Sequence, residues 1–246
     1  MRSIVLTAVL MLVAIPVVHA EPLAELRTTL AKYPGGDAID AGIDIKQTQR
    51  KGEAKAPTVG QVRLNVQAGA QGLQFLFPPE LMHAVEREAQ AHVANAESPM
   101  PIAGMLATAT PMRVATVLNA APAMLRDIDG AKLIESRADT LDGKPAQLLV
   151  LDVPGRISAK DKADLKQYQD RLKLWLDADG TPLASEESVD FSGRKFLIGF
   201  SGAESYRTRY VVIGKRLAMK SRTWGSSFKG FGEDNESETT ATLSLR

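Results

Sequence analysis

Cysteine is absent from all 246 residues. Its absence excludes disulfide staples, a thiolate nucleophile, iron–sulfur clusters, sulfur-ligated zinc and the thiol needed for a bacterial lipid anchor. An excess of one charge is lacking too, since 30 Lys and Arg stand against 29 Asp and Glu. Neither a nucleic acid nor an anionic membrane surface is therefore an expected partner. Aromatic residues make up only 5% of the chain and histidines number three. No G-x-S-x-G elbow, phosphate-binding loop or dinucleotide fingerprint stands in a strand–turn–helix context. No catalytic residue, metal site or cofactor is expected.

The one long apolar run is Ile4 to Val18, preceded by Arg2 and followed by the small-residue end Val18-His19-Ala20. This is the pattern of a secretory signal over residues 1–20, cleaved before Glu21. It predicts export to the periplasm as a soluble protein with no transmembrane segment, because the run is short for a span of about 20 residues. Losing Arg2 brings the net charge from +1 to zero. The remaining chain, 21–246, is long enough to fold around its own core without staples.

Period and punctuation then divide that chain. Leu23, Leu26, Leu30 and Tyr33 stand at helical spacing and stop at Pro34-Gly35-Gly36. Alternation takes over at Ile39, Ala41, Ile43 and Ile45, at Val62, Leu64, Val66 and Ala68, and at Leu73–Phe77, predicting a three-strand meander. Glu80–Ala96 reads as a helix with Pro79 at its first turn, and Met112–Arg126 as a further helix interrupted near Pro122. Between them Ser98–Met112 is apolar yet broken by prolines, which suggests a greasy flap. The second half is written in hairpins: 131–140 and 145–153 flank Asp142-Gly143, a polar connection covers 157–169, and strands follow at 171–177, 182–191, 195–200, 206–213, 216–228 and 238–245. The sum is one α+β domain with a large, curved antiparallel sheet of about eleven strands, capped by helices on its concave face.

This order of elements resembles the superfamily of periplasmic lipoprotein-localisation carriers and receptors. The resemblance is carried by LAELRTTLAKYPGGDAIDAGIDIKQ, VRLNVQAGAQGLQFLFPPEL and RLKLWLDADGTPLASEESVDF. It implies an unclosed half-barrel with an apolar cavity between sheet and helices that holds acyl chains. The arginine with which the carriers hold their helical lid does not transfer, because the matching strand offers only Lys46 and Arg50 near its end. The anchoring cysteine of the receptors is missing as well.

Phe75, Phe77, Trp175, Phe191, Phe196, Phe200 and Trp224 lie on predicted strands. Of these, Phe75, Phe77, Trp175 and Trp224, together with Met100, Met105 and Met112 of the flap, are the candidates for cavity wall and lid, against ordinary core packing. Lys220 and Arg222 alternate with Trp224 on one strand and are candidates for holding an anionic headgroup, against a plain exposed face. His83 and His92 turn roughly 180° apart on their helix and cannot share one metal. Glu186, Glu187 and Asp190 share a strand on which 187 opposes the other two, a group that reads as a solvated outer face rather than a hydrolytic pair. The expected function is non-enzymatic binding of a lipid or another hydrophobic molecule. An interaction module for an envelope protein is the alternative, and a hydrolase stands last.

Overall fold

The computed structural model describes residues 21–52, 56–155 and 164–246. The expected export signal over 1–20 lies outside them, as do 53–55 and 156–163, the latter taking in the first part of the expected polar connection 157–169. Helix α1 (Pro22–Leu30) opens the chain, followed by the meander β1 (Ile39–Lys51), β2 (Thr58–Gly69) and β3 (Gly72–Leu76). Four helices come next: α2 (Pro79–Ala94), α3 (Pro101–Thr108), α4 (Pro111–Leu118) and α5 (Ala121–Asp127). Each of the five helices among the described residues carries a proline in its first turn, where the missing N–H has no intrahelical partner to lose. The expected flap is thus mostly the helix α3, and Pro101 and Pro111 are starts rather than breaks, whereas Pro99 stays in the loop before α3.

Seven strands complete the chain: β4 (Lys132–Leu141), β5 (Lys144–Asp152), β6 (Leu165–Leu176), β7 (Pro182–Lys195), β8 (Ile198–Ile213), β9 (Arg216–Gly230) and β10 (Glu233–Leu245). The ten strands of the described residues form a single antiparallel, unclosed sheet in the order β3-β2-β1-β10-β9-β8-β7-β6-β5-β4. The count falls one short of the expectation because 195–200 is not a separate strand. The turn lies at Phe196-Leu197, not at Ser192-Gly193, and β8 runs straight through Gly202. Strand β6 also begins six residues before Arg171, inside the stretch read as a polar connection.

Strands β3 and β4 are the two edges, so the chain between them has to traverse the whole sheet, about 43 Å at the usual strand spacing. Helices α2–α5 are that traverse. Helix α3 rests on β2 over Gly60, where a Cβ would fall 2.6 Å from Met105 Cε and 2.9 Å from Pro101 Cβ. The Glu88 carboxylate of α2 accepts the N–H groups of Ile102 and Ala103 at 3.0 and 2.9 Å, and His92 Nδ1 lies 3.0 Å from the Ser98 carbonyl oxygen. Both residues therefore serve the α2–α3 junction. Beyond α4, Leu217 N–H donates to Asn119 Oδ1, Ala120 N–H donates to the Leu217 carbonyl and Asn119 Nδ2 donates to the Tyr33 carbonyl. That clamp fixes the traverse to the start of β9 and to the end of the α1 segment.

All of the helices pack on one face. Register places Leu149, Leu174, Ser185, Thr208, Arg222, Ala241, Ile45 and Val62 in one row across the sheet. Its ends belong to two apolar clusters. One joins α1 and α5 to Leu149, Leu151, Leu172, Leu174, Leu176 and Leu217; the other joins α2, α3 and α4 to the buried residues of β1, β2 and β10. Each fully buried leucine in these clusters contributes about 2 kcal/mol. Among the described residues no helix is long and apolar enough to cross a membrane.

The β7–β8 turn is locally costly. Phe196 and Leu197 have φ of 47° and 68°, and both are 86% exposed. Side chains in this left-handed region cost about 1–2 kcal/mol per residue, and two-residue turns of this kind favour Asn-Gly. Replacing the pair with Asn-Gly is expected to stabilise the fold by about 1–2 kcal/mol, read from the midpoint of urea denaturation.

Candidate functional site

Beyond the line where the helices cross, no helix among the described residues covers the inner faces of β6 to β9. Period-two alternation sets Tyr168 and Asp170 of β6, Glu187, Val189 and Phe191 of β7, Phe200, Glu204 and Tyr206 of β8, and Arg222 and Phe228 of β9 around a cleft. Its volume is about 630 Å³. Cross-strand pairing orders the floor, with Tyr168 opposite Phe191, Asp170 opposite Val189, Val189 opposite Glu204, and Glu187 opposite Tyr206. The Phe191 ring lies over its partner Gly202, a position where any Cβ would strike the ring. Phe200 stacks on Phe228 and Phe231 at centroid distances of 6.4 and 5.8 Å, building the outer wall. Val153, Pro154 and Leu165 add further apolar surface.

The deep end is polar. Tyr206 donates its hydroxyl to Glu204, Tyr168 donates to Asp170 Oδ2 at 3.3 Å, and the Arg222 guanidinium sits 4.8 Å above the Tyr206 ring. A smaller cavity of about 80 Å³ continues beneath α4 and α5, sharing Asp127, Glu187, Tyr206 and Arg222 with the cleft. In it Ser185 Oγ and the Tyr210 hydroxyl are 2.8 Å apart.

Burial dominates the electrostatics of these groups. Glu187 is pushed up to about 7, first by desolvation and then by the charges of Asp170 and Asp127, with Arg222 pulling the other way. Asp170 is raised by burial, against the Tyr168 hydrogen bond. Tyr168 is pushed up to about 12, and Tyr206 and Tyr210 are also raised, in every case chiefly by desolvation. At neutral pH the tyrosines are hydroxyl donors, and Glu187 is poised between acid and carboxylate.

The candidates named from sequence fall in several places. Phe75 is half-buried against the β1–β2 cluster and stacks at 6.1 Å on Phe77, which is 48% exposed. Met105 is buried in that cluster, while Met100 and Met112 are exposed at the heads of α3 and α4. None of these five lines the cleft. Trp175 alternates with the buried Leu174 and Leu176, so it faces the opposite side of the sheet, where its indole N–H donates to Asp139 at 3.1 Å. Trp224 shares the cleft's face opposite Tyr206 but is half-buried in the core cluster. Lys220 is exposed and lies outside the cleft, whereas Arg222 lines it. Glu186 and Asp190 are exposed as expected of an outer face, while Glu187 points inward.

Residues passed over in the sequence are Tyr168, Asp170, Glu204, Tyr206 and Phe228. The signal for the first two was parity, because 168 and 170 continue the 172-174-176 core face of their strand. The acid at 187 sets a pH dependence of stability. The folded protein keeps this proton up to about pH 7, whereas the unfolded chain releases it near the ordinary 4.5. The contribution of Glu187 to stability is therefore greatest below pH 4.5, falls as the pH rises to 7 and is level above. Glu187→Gln is expected to match the wild type at pH 4 and to exceed it by about 2–3 kcal/mol at pH 8, measured by urea denaturation across a pH series. No family model, no curated protein and no solved structure matches this chain.

Proposed function

We propose that this protein is a soluble, non-enzymatic binder of a hydrophobic ligand, a lipid or acyl chain, exported to the periplasm. The carrying observation is the cleft of about 630 Å³ with phenylalanine, valine, proline and leucine walls, left open where the helical layer stops. This size falls in the range of small-molecule sites, about 300–1,000 Å³. Helices packed on one face of an unclosed antiparallel sheet support the half-barrel reading, and with it the likeness to lipoprotein carriers and receptors. Apolar area drives the binding, at about 25 cal/mol per Å² removed from water.

A second reading, an envelope interaction module, is favoured by one observation: the exposed Phe196-Leu197 tip beside the half-exposed Ile198 and Phe231. The two readings separate in one experiment. Titration with N-phenyl-1-naphthylamine is expected to give a saturable fluorescence rise that Phe228→Asp weakens at least tenfold. Met112→Asp, outside the cleft, is expected to leave it unchanged, with circular dichroism checking the fold of both variants. No saturable rise in the wild type, or equal loss in both variants, removes the binding reading.

A further inference from the structure

Among the described residues the cleft's deep end carries more negative than positive groups. Asp170, Glu187 and Glu204 face it together with the Arg222 guanidinium, the one arginine lining it among the described residues. Lys195 at its rim is taken up by Asp164 at 3.6 Å, and Glu204 by the Tyr206 hydroxyl. Two carboxyls keep unused acceptors. Asp170 is only 7% exposed and lines the cleft, yet its Oδ1 has no hydrogen-bond partner among the described residues. Glu187 likewise makes no hydrogen bond or ion pair among them. The buried Asp170 acceptor is costly without a donor, and such groups are rare unless a ligand or water completes them, whereas Glu187 is only partly buried.

From this geometry, and resting on the cavity reading above, we infer that the ligand is a lipophilic amine: an apolar body along Val189, Phe191, Phe200 and Phe228, with an ammonium at Asp170 and Glu187. An ammonium offers three N–H donors and a positive charge, matching the unused carboxyl oxygens in number and sign. The raised proton affinity of Glu187 has the same origin, since a site crowded with buried carboxyls favours any added positive charge. A carboxylate or phosphate headgroup would bring a further negative charge to this floor, where burial makes repulsion several-fold stronger than in water. Arg222 is already held over Tyr206 and faces Glu187, so it serves the acid cluster and not an anion.

The test is isothermal titration of the full chain at pH 7.5 with three probes of one chain length: decylammonium, decanol and decanoate. Decylammonium is expected to bind at least tenfold more tightly than decanol, and decanoate more weakly than decanol. The paired change Asp170→Asn with Glu187→Gln, which preserves volume, is expected to erase the preference for the amine, so that decylammonium binds no more tightly than decanol does to the same variant. If that variant does not fold, the ranking on the wild type decides alone. Decanoate binding as tightly as decylammonium, or a preference for the amine that survives both substitutions, overturns the amine assignment while decanol binding leaves the apolar cleft standing. Failure of all three probes to bind overturns the cleft reading itself.

Discussion

The strands at the two edges of the sheet are consecutive in the chain, so the segment between β3 and β4 has to cross ten strands over one face. Its four helices cover a strip, and a strip is all they can cover. Helix α5, with seven residues, is about 10 Å long, whereas β8, with sixteen, extends about 50 Å. The crossing lies over the start of β9 and the end of β6, where Leu217, Leu172, Leu174 and Leu176 are buried beneath α1 and α5. The other ends of the same strands project past the cover, and the cleft is the consequence.

The crossing also explains why the core is two clusters instead of one. Between the leucines of β5 and β6 and the aliphatic residues of β1, β2 and β10, the row across the sheet passes through Ser185, Thr208 and Arg222. A polar seam through a sheet face is tolerable only with partners, and the Ser185–Tyr210 bond and the Arg222–Tyr206 stacking supply some of them. Toward the cleft the seam becomes acidic. There Glu187 and Asp170 lose hydration with only the Tyr168 hydroxyl donating in return, to Asp170, which lifts their proton affinity and makes the deep end a site for a cation with N–H groups.

Local patterns in the sequence were legible where one residue type has one physical use. Asp142-Gly143 takes up φ of 51° and 76° in the expected hairpin turn, and Arg209 then grips the Asp142 carboxylate with two bonds of 2.9 and 3.0 Å. The turn at Phe196-Leu197 was not legible, because bulky side chains rarely adopt positive φ and the nearby Ser192-Gly193 offers a better local signal. Prolines 101 and 111 read as interruptions, since a proline that starts a helix and one that breaks a loop look alike until the helix is seen. Trp175 and Trp224 have the same composition signal but opposite faces, and a strand's parity becomes inside or outside only once its neighbours are paired.

By itself the sequence determined the α+β class, the antiparallel hairpins, the opening helix and the want of thiol chemistry, because alternation, turn residues and composition act over a few neighbouring positions. Tertiary structure alone decided that β1 pairs with β10, that the helices run from edge to edge, and that Glu187 and Asp170 meet in an apolar cleft. Those contacts join residues far apart in the chain. Their energy comes from burial and desolvation, which no short window of sequence contains.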